Sequence, residues 1–316
     1  MSDPILLSTS DFTIPETLAD GIFKKAQGTS VLARLCAAEP QKFGKSEHMI
    51  LTGSPKAELV GEGVAKSPSE ITVDYKPVVP LKFQTTIRLN EEVKWADEDH
   101  KLAILETAFE EIGISLGRAL DLAAIHKINP YTGAVAAQIS EGITDTTNIA
   151  VLNDDAYTKA VETAAKAIID DGYVPSMIAF EPGFSFGLAT EKDADGYNLY
   201  PGMGFGLNVE NFLGMRASVS DTVSGKKDLA VPGNILAIVG QADAFKWGVQ
   251  REIRAHMIEF GDPDGQGDLK RYNQIAIRAE VVYGIGIMDK DAFAKITSSS
   301  EDTDTDTDTD TDTDTE

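Results

Sequence analysis

Residues 97–127 read DEDHKLAILETAFEEIGISLGRALDLAAIHK, and they decide the architecture. Leu102, Leu105, Phe109, Ile112, Leu116, Leu120 and Ala123 recur at three- and four-residue steps, the spacing of one apolar helix face. Asp97, Glu98 and Asp99 crowd its start while His126 and Lys127 close it, both favourable against the helix dipole. Asn129-Pro130 is expected to stop it. At 1.5 Å per residue such a helix spans about 45 Å. That is long for a compact enzyme domain and suits a structural spine.

Before the spine, residues 1–41 begin polar, and Ile14-Pro15-Glu16 opens a helix with Leu18, Ile22 and Phe23 at helical spacing. Gly28-Thr29-Ser30 breaks it ahead of Val31, Leu32 and Leu35. This arm has a sticky face and little core of its own, so it is expected to lie on something else, a neighbouring subunit being the natural partner. In residues 42–92 a short strand near His48–Leu51 leads into SPKAELVGEGVAKSPSE (54–70) and then a long strand. There Val79, Leu81, Phe83, Thr85, Ile87 and Leu89 alternate with Pro80, Lys82, Gln84, Thr86, Arg88 and Asn90, the period of a half-buried strand. Together they predict a long two-stranded loop projecting from the body.

After the spine, helices and strands alternate from 130 to 245. A helix starts at Asp154-Asp155, runs through Ala156, Val161, Ala164, Ile168 and Ile169, and is capped by Gly172. Met177–Phe180, Met215–Val219 and Ile235–Val239 read as strands, Phe184–Leu188 as a short helix and Asp195-Gly196 as a turn. Phe245–Phe260 and Leu269–Met288 are two extended runs joined by the polar residues 261–268, an extended hairpin. Residues 291–296 are expected to add a helical turn.

Composition bounds the function. The chain has 316 residues, one cysteine and a net charge of −23. Residues 301–316, EDTDTDTDTDTDTDTE, hold nine carboxylates and no base, which leaves 42 acids against 28 bases elsewhere. Such a surface argues against sequence-specific nucleic-acid binding, which needs Lys and Arg to neutralise phosphates. The Asp-Thr run has nothing to bury and is expected to be a disordered solubilising spacer, with metal binding or partner recruitment as the alternative. No apolar run reaches the ~20 residues of a membrane span. Residues 1–15 lack the pattern of a secretory signal, which counts against a cell-surface adhesion module.

Ordinary active-site chemistry is missing. His48, His100, His126 and His256 lie far apart without metal-ligand spacing, and surface or interface roles are expected for them. Asp262, Asp264 and Asp268 do not match a calcium loop and read as a hairpin tip. Gly202, Gly204 and Gly206 lack the strand-then-helix context of a dinucleotide loop and are read as a mobile loop. Cys36, beside Leu35 and Ala37, reads as a small buried hydrophobe.

The order of parts carries a resemblance. AELVGEGVAKSPSEITV (57–73) resembles the extended loop of tailed-bacteriophage major capsid proteins with the HK97 fold, and RALDLAAIHKINPYTG (118–133) the end of their spine helix. IAFEPGFSFGLATEKDADGYNLY (178–200) and LGMRASVSD (213–221) are similar to their axial domain. FKWGVQREIRAHMIEFGD (245–262) with NQIAIRAEVVYGIGIMDKDAFAKI (273–296) resembles their peripheral hairpin and the return to the axial domain.

The resemblance covers roughly residues 10–297 and implies an α+β, HK97-like capsid fold. Its parts are an N-terminal arm (1–41), an extended loop with flanking strands (42–92), and a spine helix of the peripheral domain (93–129). There follow an α/β axial domain (130–245), a peripheral hairpin (246–271), a return strand with the axial end (272–297), and the acidic tail (298–316). Pentamers and hexamers of such a subunit are expected to close into an icosahedral shell around double-stranded DNA, in a virion assembled in the host bacterial cytoplasm. Scaffolding, portal and decoration proteins are the implied partners; no membrane and no cofactor are implied.

Many relatives carry a long scaffolding segment that proteolysis removes, whereas this arm begins within about ten residues of Met1. Scaffolding is therefore expected from a separate protein, or the chain is a form lacking the segment. The Asp-Thr tail has no counterpart in the family's pattern and is expected outside the shell or against a decoration protein. Some members weld subunits by an isopeptide bond between a loop lysine and a hairpin asparagine, with a glutamate assisting. Carried over by motif, these fall on Lys66, in GEGVAKSPSEIT, and on Asn273 and Glu280, in NQIAIRAE. Read bottom-up, the same residues are an ordinary loop charge and two exposed strand positions. Two other readings stand beside the capsid. One is an encapsulin-like nanocompartment of the same fold, against which the long loop at 54–80 counts. The other is a small-oligomer α/β enzyme, against which the missing motifs count.

Overall fold

The computed structural model describes residues 16–299, except 42, 43, 45, 53, 54, 56, 63–65, 67, 69–71, 96, 97, 154 and 232. The tail at 301–316, the side chains of Leu18, Phe23, Glu98, Asp99, His100 and Leu102, and residues Asp97 and Asp154 lie outside that description. In chain order the elements are α1 (Glu16–Thr29), α2 (Val31–Leu35), β1 (Ser46–Thr52), β2 (Thr72–Asn90), α3 (Glu98–His126), β3 (Ile149–Leu152) and α4 (Tyr157–Asp170). Then come β4 (Met177–Phe180), α5 (Pro182–Thr190), β5 (Asn211–Phe212), β6 (Met215–Val219), β7 (Ile235–Gly240), β8 (Phe245–Ile258), β9 (Gln274–Ile287) and β10 (Phe293–Ser298).

Two sheets organise the chain, one four-stranded (β1-β2-β9-β8) and one six-stranded (β3-β10-β7-β4-β6-β5). In the first, β2 pairs antiparallel with β9 so that Leu81 faces Tyr283, Phe83 faces Val281 and Ile87 faces Ile277. The alternation in β2 thus delivers one apolar row to the spine α3, where Leu105, Phe109, Ile112, Leu116, Leu120 and Ala123 are buried at the predicted spacing. In the second, Ile178, Phe180, Ala217, Val239 and Ile296 meet Val161, Ala164 and Ile168 of α4 and Phe184 and Leu188 of α5. Gly172 closes α4 with φ +87°, a conformation that suits glycine.

Several expectations are corrected. The face carrying Ile22, Ala26, Val31, Leu32 and Leu35 is covered by the chain's own core, principally α3. It does not wait for a neighbour. The spine ends at His126, before Asn129-Pro130, because Lys127 turns left-handed at φ +57°. The second extended run starts at Gln274, since Leu269–Asn273 form a turn with Asn273 at φ +52°. Asp155 is likewise left-handed, so α4 begins at Tyr157.

Residues 293–298 form no helical turn. They are β10, inserted between β3, to which it runs parallel, and β7, to which it runs antiparallel. Pairing on both edges overrides the local pattern. The chain between α2 and β1 crosses the first sheet where Gly248 pairs with Gly284. A Cβ at Gly248 would stand 2.0 Å from the Glu39 carbonyl oxygen, so only glycine admits this crossing.

Candidate assembly surface

From Ala119 to His126 every residue of the spine is buried, including a charged one. Asp121 is wholly enclosed and accepts four hydrogen bonds. Ser30 Oγ (2.6 Å) and the Val31 (2.9 Å) and Leu32 (3.1 Å) amides come from the arm, and Thr222 Oγ1 (3.0 Å) from the segment after β6. Burial pushes its carboxyl above the usual range, against the pull of those donors. Along the same helix, Arg118 holds Asp221 and Asp228, each at 2.6 Å, and His126 Nε2 lies 3.0 Å from the Thr222 carbonyl oxygen. Arm, spine and the segment at 220–228 are thereby locked into one body. His126 is thus a core residue, not the surface or interface group expected of it, and burial lowers its pKa.

The β1–β2 hairpin is different. Its register runs Ser46↔Val78 to Thr52↔Thr72, outward from the body. Met49, Val73 and Tyr75 are exposed along it, and Leu59 beyond it is completely uncovered. No apolar surface of the described chain covers them. A second exposed apolar group sits on the other sheet's margin, where Phe186 and Phe205 stack with centroids 6.4 Å apart, both open to solvent.

Of the three residues that the resemblance implies for a cross-link, Asn273 and Glu280 are held apart along one extended strand. Lys66 is exposed on the loop. Asn273 is exposed at the mouth of β9, its backbone carbonyl accepting the Glu91 amide at 2.7 Å. Glu280 lies seven residues further along β9, about 23 Å away at strand rise. Its carboxylate pairs with Lys82 at 2.9 Å, and that hydrogen bond holds its pKa below the usual value.

The remaining candidates have structural roles. Asp262 and Asp264 grip Arg88, whose Nη2 also donates to the Gly267 carbonyl at 3.0 Å, so the acidic cluster fastens the β8–β9 tip to the end of β2. Asp268 accepts the Arg271 amide at 3.1 Å. In the PGMGFG loop, Pro201–Met203 form a 3-10 turn, and Gly206 packs against Ser185, whose hydroxyl donates to the Gly206 carbonyl. Cys36 is buried against Met177, with desolvation raising its thiol to about 12. Sequence reasoning passed over Asp121, although an aspartate within the apolar run ALDLAAI was a readable signal of a buried polar joint.

Comparison with known proteins gives a consistent picture. The model of the phage capsid family matches residues 10–298. A solved structure from Mycobacterium phage Ogopogo is similar at a TM-score of 0.79 and 45% identity, covering 93% of this chain and 100% of that one. A structure from Gordonia phage Cozz follows at 0.75 and 29% identity, covering 86% and 87%. The capsid of an empty GTA particle, at 0.57 and 13% identity over 86% and 90%, shares the fold. No curated protein matches the chain.

Proposed function

This chain belongs to the phage capsid family, a family of structural proteins and not of enzymes, and from that premise we propose that it assembles as pentamers and hexamers into an icosahedral shell around double-stranded DNA. The single observation that carries the shell reading is the β1–β2 hairpin. Ile22, Ala26, Val31, Leu32 and Leu35 of the arm are covered internally, whereas Met49, Leu59, Val73 and Tyr75 have no cover among the described residues. A hairpin that projects apolar side chains away from the body needs a second copy to bury them. The net charge of −23 suits a wall that must hold DNA without adhering to it. Assembly takes place in the host cytoplasm, with portal and scaffolding proteins completing the container.

The same reading extends to covalent welding between copies. Lys66 of one loop gives up a proton to a carboxylate, and its neutral Nζ attacks Cγ of Asn273 of a neighbour. The carboxamide nitrogen leaves as ammonia with the proton returned by that carboxylate, Nζ gives the carboxylate its second proton, and a neutral Nζ–Cγ amide remains. Glu280 is the proton acceptor, contributed by a chain other than the one that supplies Asn273, because 23 Å of strand separates the two, by a rise of roughly 3.3 Å per residue. In the isolated chain its pairing with Lys82 makes it a weak base. Closure of the shell must therefore displace Lys82 before the bond forms.

The test is denaturing electrophoresis of boiled particles. Welding predicts covalent multimers that vanish in Lys66→Arg and in Asn273→Asp. Monomer alone from well-formed particles rules welding out and leaves the shell reading intact.

A further inference from the structure

Between α2 and β6 lies a cavity of about 410 Å³. Ser218 lines it, is 2% exposed, and its hydroxyl is the one buried side-chain oxygen without a partner among the described residues. Arg216, two residues earlier on the same face of β6, and Arg34, in the last turn of α2, line it as well. Neither arginine forms an ion pair with a described residue; Arg34 reaches only the Val219 carbonyl, at 3.5 Å. In a chain with 51 acids and 28 bases, where Arg88 and Arg118 are each gripped by two aspartates, this pair stands unpaired. Glu210 is the acidic residue on the lining. Two guanidiniums and an unsatisfied hydroxyl make a carboxylate-recognition set.

The sheet brings a source of carboxylates to the same end. Ile296 of β10 is in register with Ala237 of β7, Ala237 with Phe180 of β4, and Phe180 with Val219 of β6, which lines the cavity. β10 runs in the same direction as β6 and ends two residues beyond that level, at Ser298, so its end lies three strands or roughly 14 Å across the sheet and about 7 Å along it from Val219. Asp304 follows Ser298 by six residues, a reach of about 20 Å when extended, and aspartates recur at every second position from Asp302 to Asp314. In an extended segment that period places them on one face about 7 Å apart. We propose that the cavity is a carboxylate site and that aspartates of residues 301–316 are its ligand, so that the tail folds back over β6. This is independent of the shell reading.

Phenylglyoxal, which modifies free guanidiniums, tests it on the full chain, with the rate at Arg34 and Arg216 read by peptide mass spectrometry. The comparison chain carries Asn and Gln in place of the tail's Asp and Glu, changes that leave the folded body untouched. The proposal predicts at least about fivefold slower modification in the native chain at low salt, the equivalent of ~1 kcal/mol. That protection disappears in 0.5 M salt (a Debye length of about 4 Å) and in the neutralised-tail chain, and it is reduced by Ser218→Ala. Protection independent of protein concentration assigns the tail of the same chain, and protection that grows with concentration assigns the tail of a second copy. Salt-sensitive protection that persists with the tail neutralised overturns the tail as ligand and points to another acidic segment. Equal, salt-independent rates in both chains overturn the site.

Discussion

Ser30 donates its hydroxyl to Asp121 at 2.6 Å across a sequence separation of 91 residues. The residue that interrupts the arm's two helices is thus also the one that fastens the arm to the spine. The same Ser30 oxygen accepts the Ala33 amide at 3.1 Å, so it caps α2 while it donates to the carboxylate.

Removing that carboxylate leaves Ser30 Oγ and the Val31 and Leu32 amides buried without an acceptor, while Thr222 can turn to Ser220 Oγ at 3.0 Å. Asp121→Ala is expected to cost at least about 3 kcal/mol, because each orphaned donor keeps its desolvation penalty. Asp121→Asn retains an acceptor and is expected to cost less. Urea midpoints of the two variants against the native chain check the order.

Stability should fall in two separate windows as pH drops. Burial holds His126 below its ordinary 6.5, with the Thr222 carbonyl and Asp228 opposing. Between its folded pKa and 6.5 the unfolded chain binds more protons, so stability is complete above about 6.5 and is lost as pH falls. Asp221 and Asp145 move the other way. Burial raises each, but Arg118 and Lys127 respectively outweigh it, so their folded pKa values lie below 3.8 and their contribution is lost only in stronger acid. His126→Gln is expected to flatten the melting temperature between pH 7.5 and 5.5 and leave the acid limb unchanged.

Gly248→Val should be among the most damaging single changes away from the spine. The added Cβ meets backbone at 2.0 Å, and the Glu39 segment is held there by its amide's hydrogen bond to the Trp247 carbonyl at 2.8 Å. A loss of about 3 kcal/mol or failure to fold is expected from overpacking of this kind. Gly172→Ala, where the space is open but φ is +87°, should cost about 1 kcal/mol. Thermal melts separate the two.

Arg88→Ala should free the tip of the β8–β9 hairpin without unfolding the sheet. Both aspartates, Gln274 and the Gly267 carbonyl lose their common donor. Faster amide exchange confined to residues 261–273, with an unchanged melting temperature, is the expected result.

Much of this architecture was legible in the chain. The spine, β4, β6 and the β2 alternation follow from unbroken apolar periodicity, which needs no knowledge of partners. What escaped depends on partners distant in sequence. Phe293 and Ile296 have a spacing that a helix and a buried strand share, and only β3 and β7 decide between them. The end of α3 was set by a left-handed Lys127, for which the sequence has no glycine marker. Asp121 was readable as a buried polar joint, but its four partners come from the arm and from Thr222. Arg34, Arg216 and Ser218 carry no local signal at all, because α2 and β6 meet only in the folded chain. For the proposed cross-link the resemblance named Lys66, Asn273 and Glu280, while the separation of Asn273 from Glu280 follows from the extended course of β9.

Sedimentation of the purified chain, with electron microscopy of its fastest fraction, tests the central claim most directly. Closed shells, or discrete rings of five and six copies in contact through the β1–β2 hairpin, are the predicted result. A chain that stays monomeric or dimeric at high concentration, with scaffolding components from an infected lysate present, would contradict it.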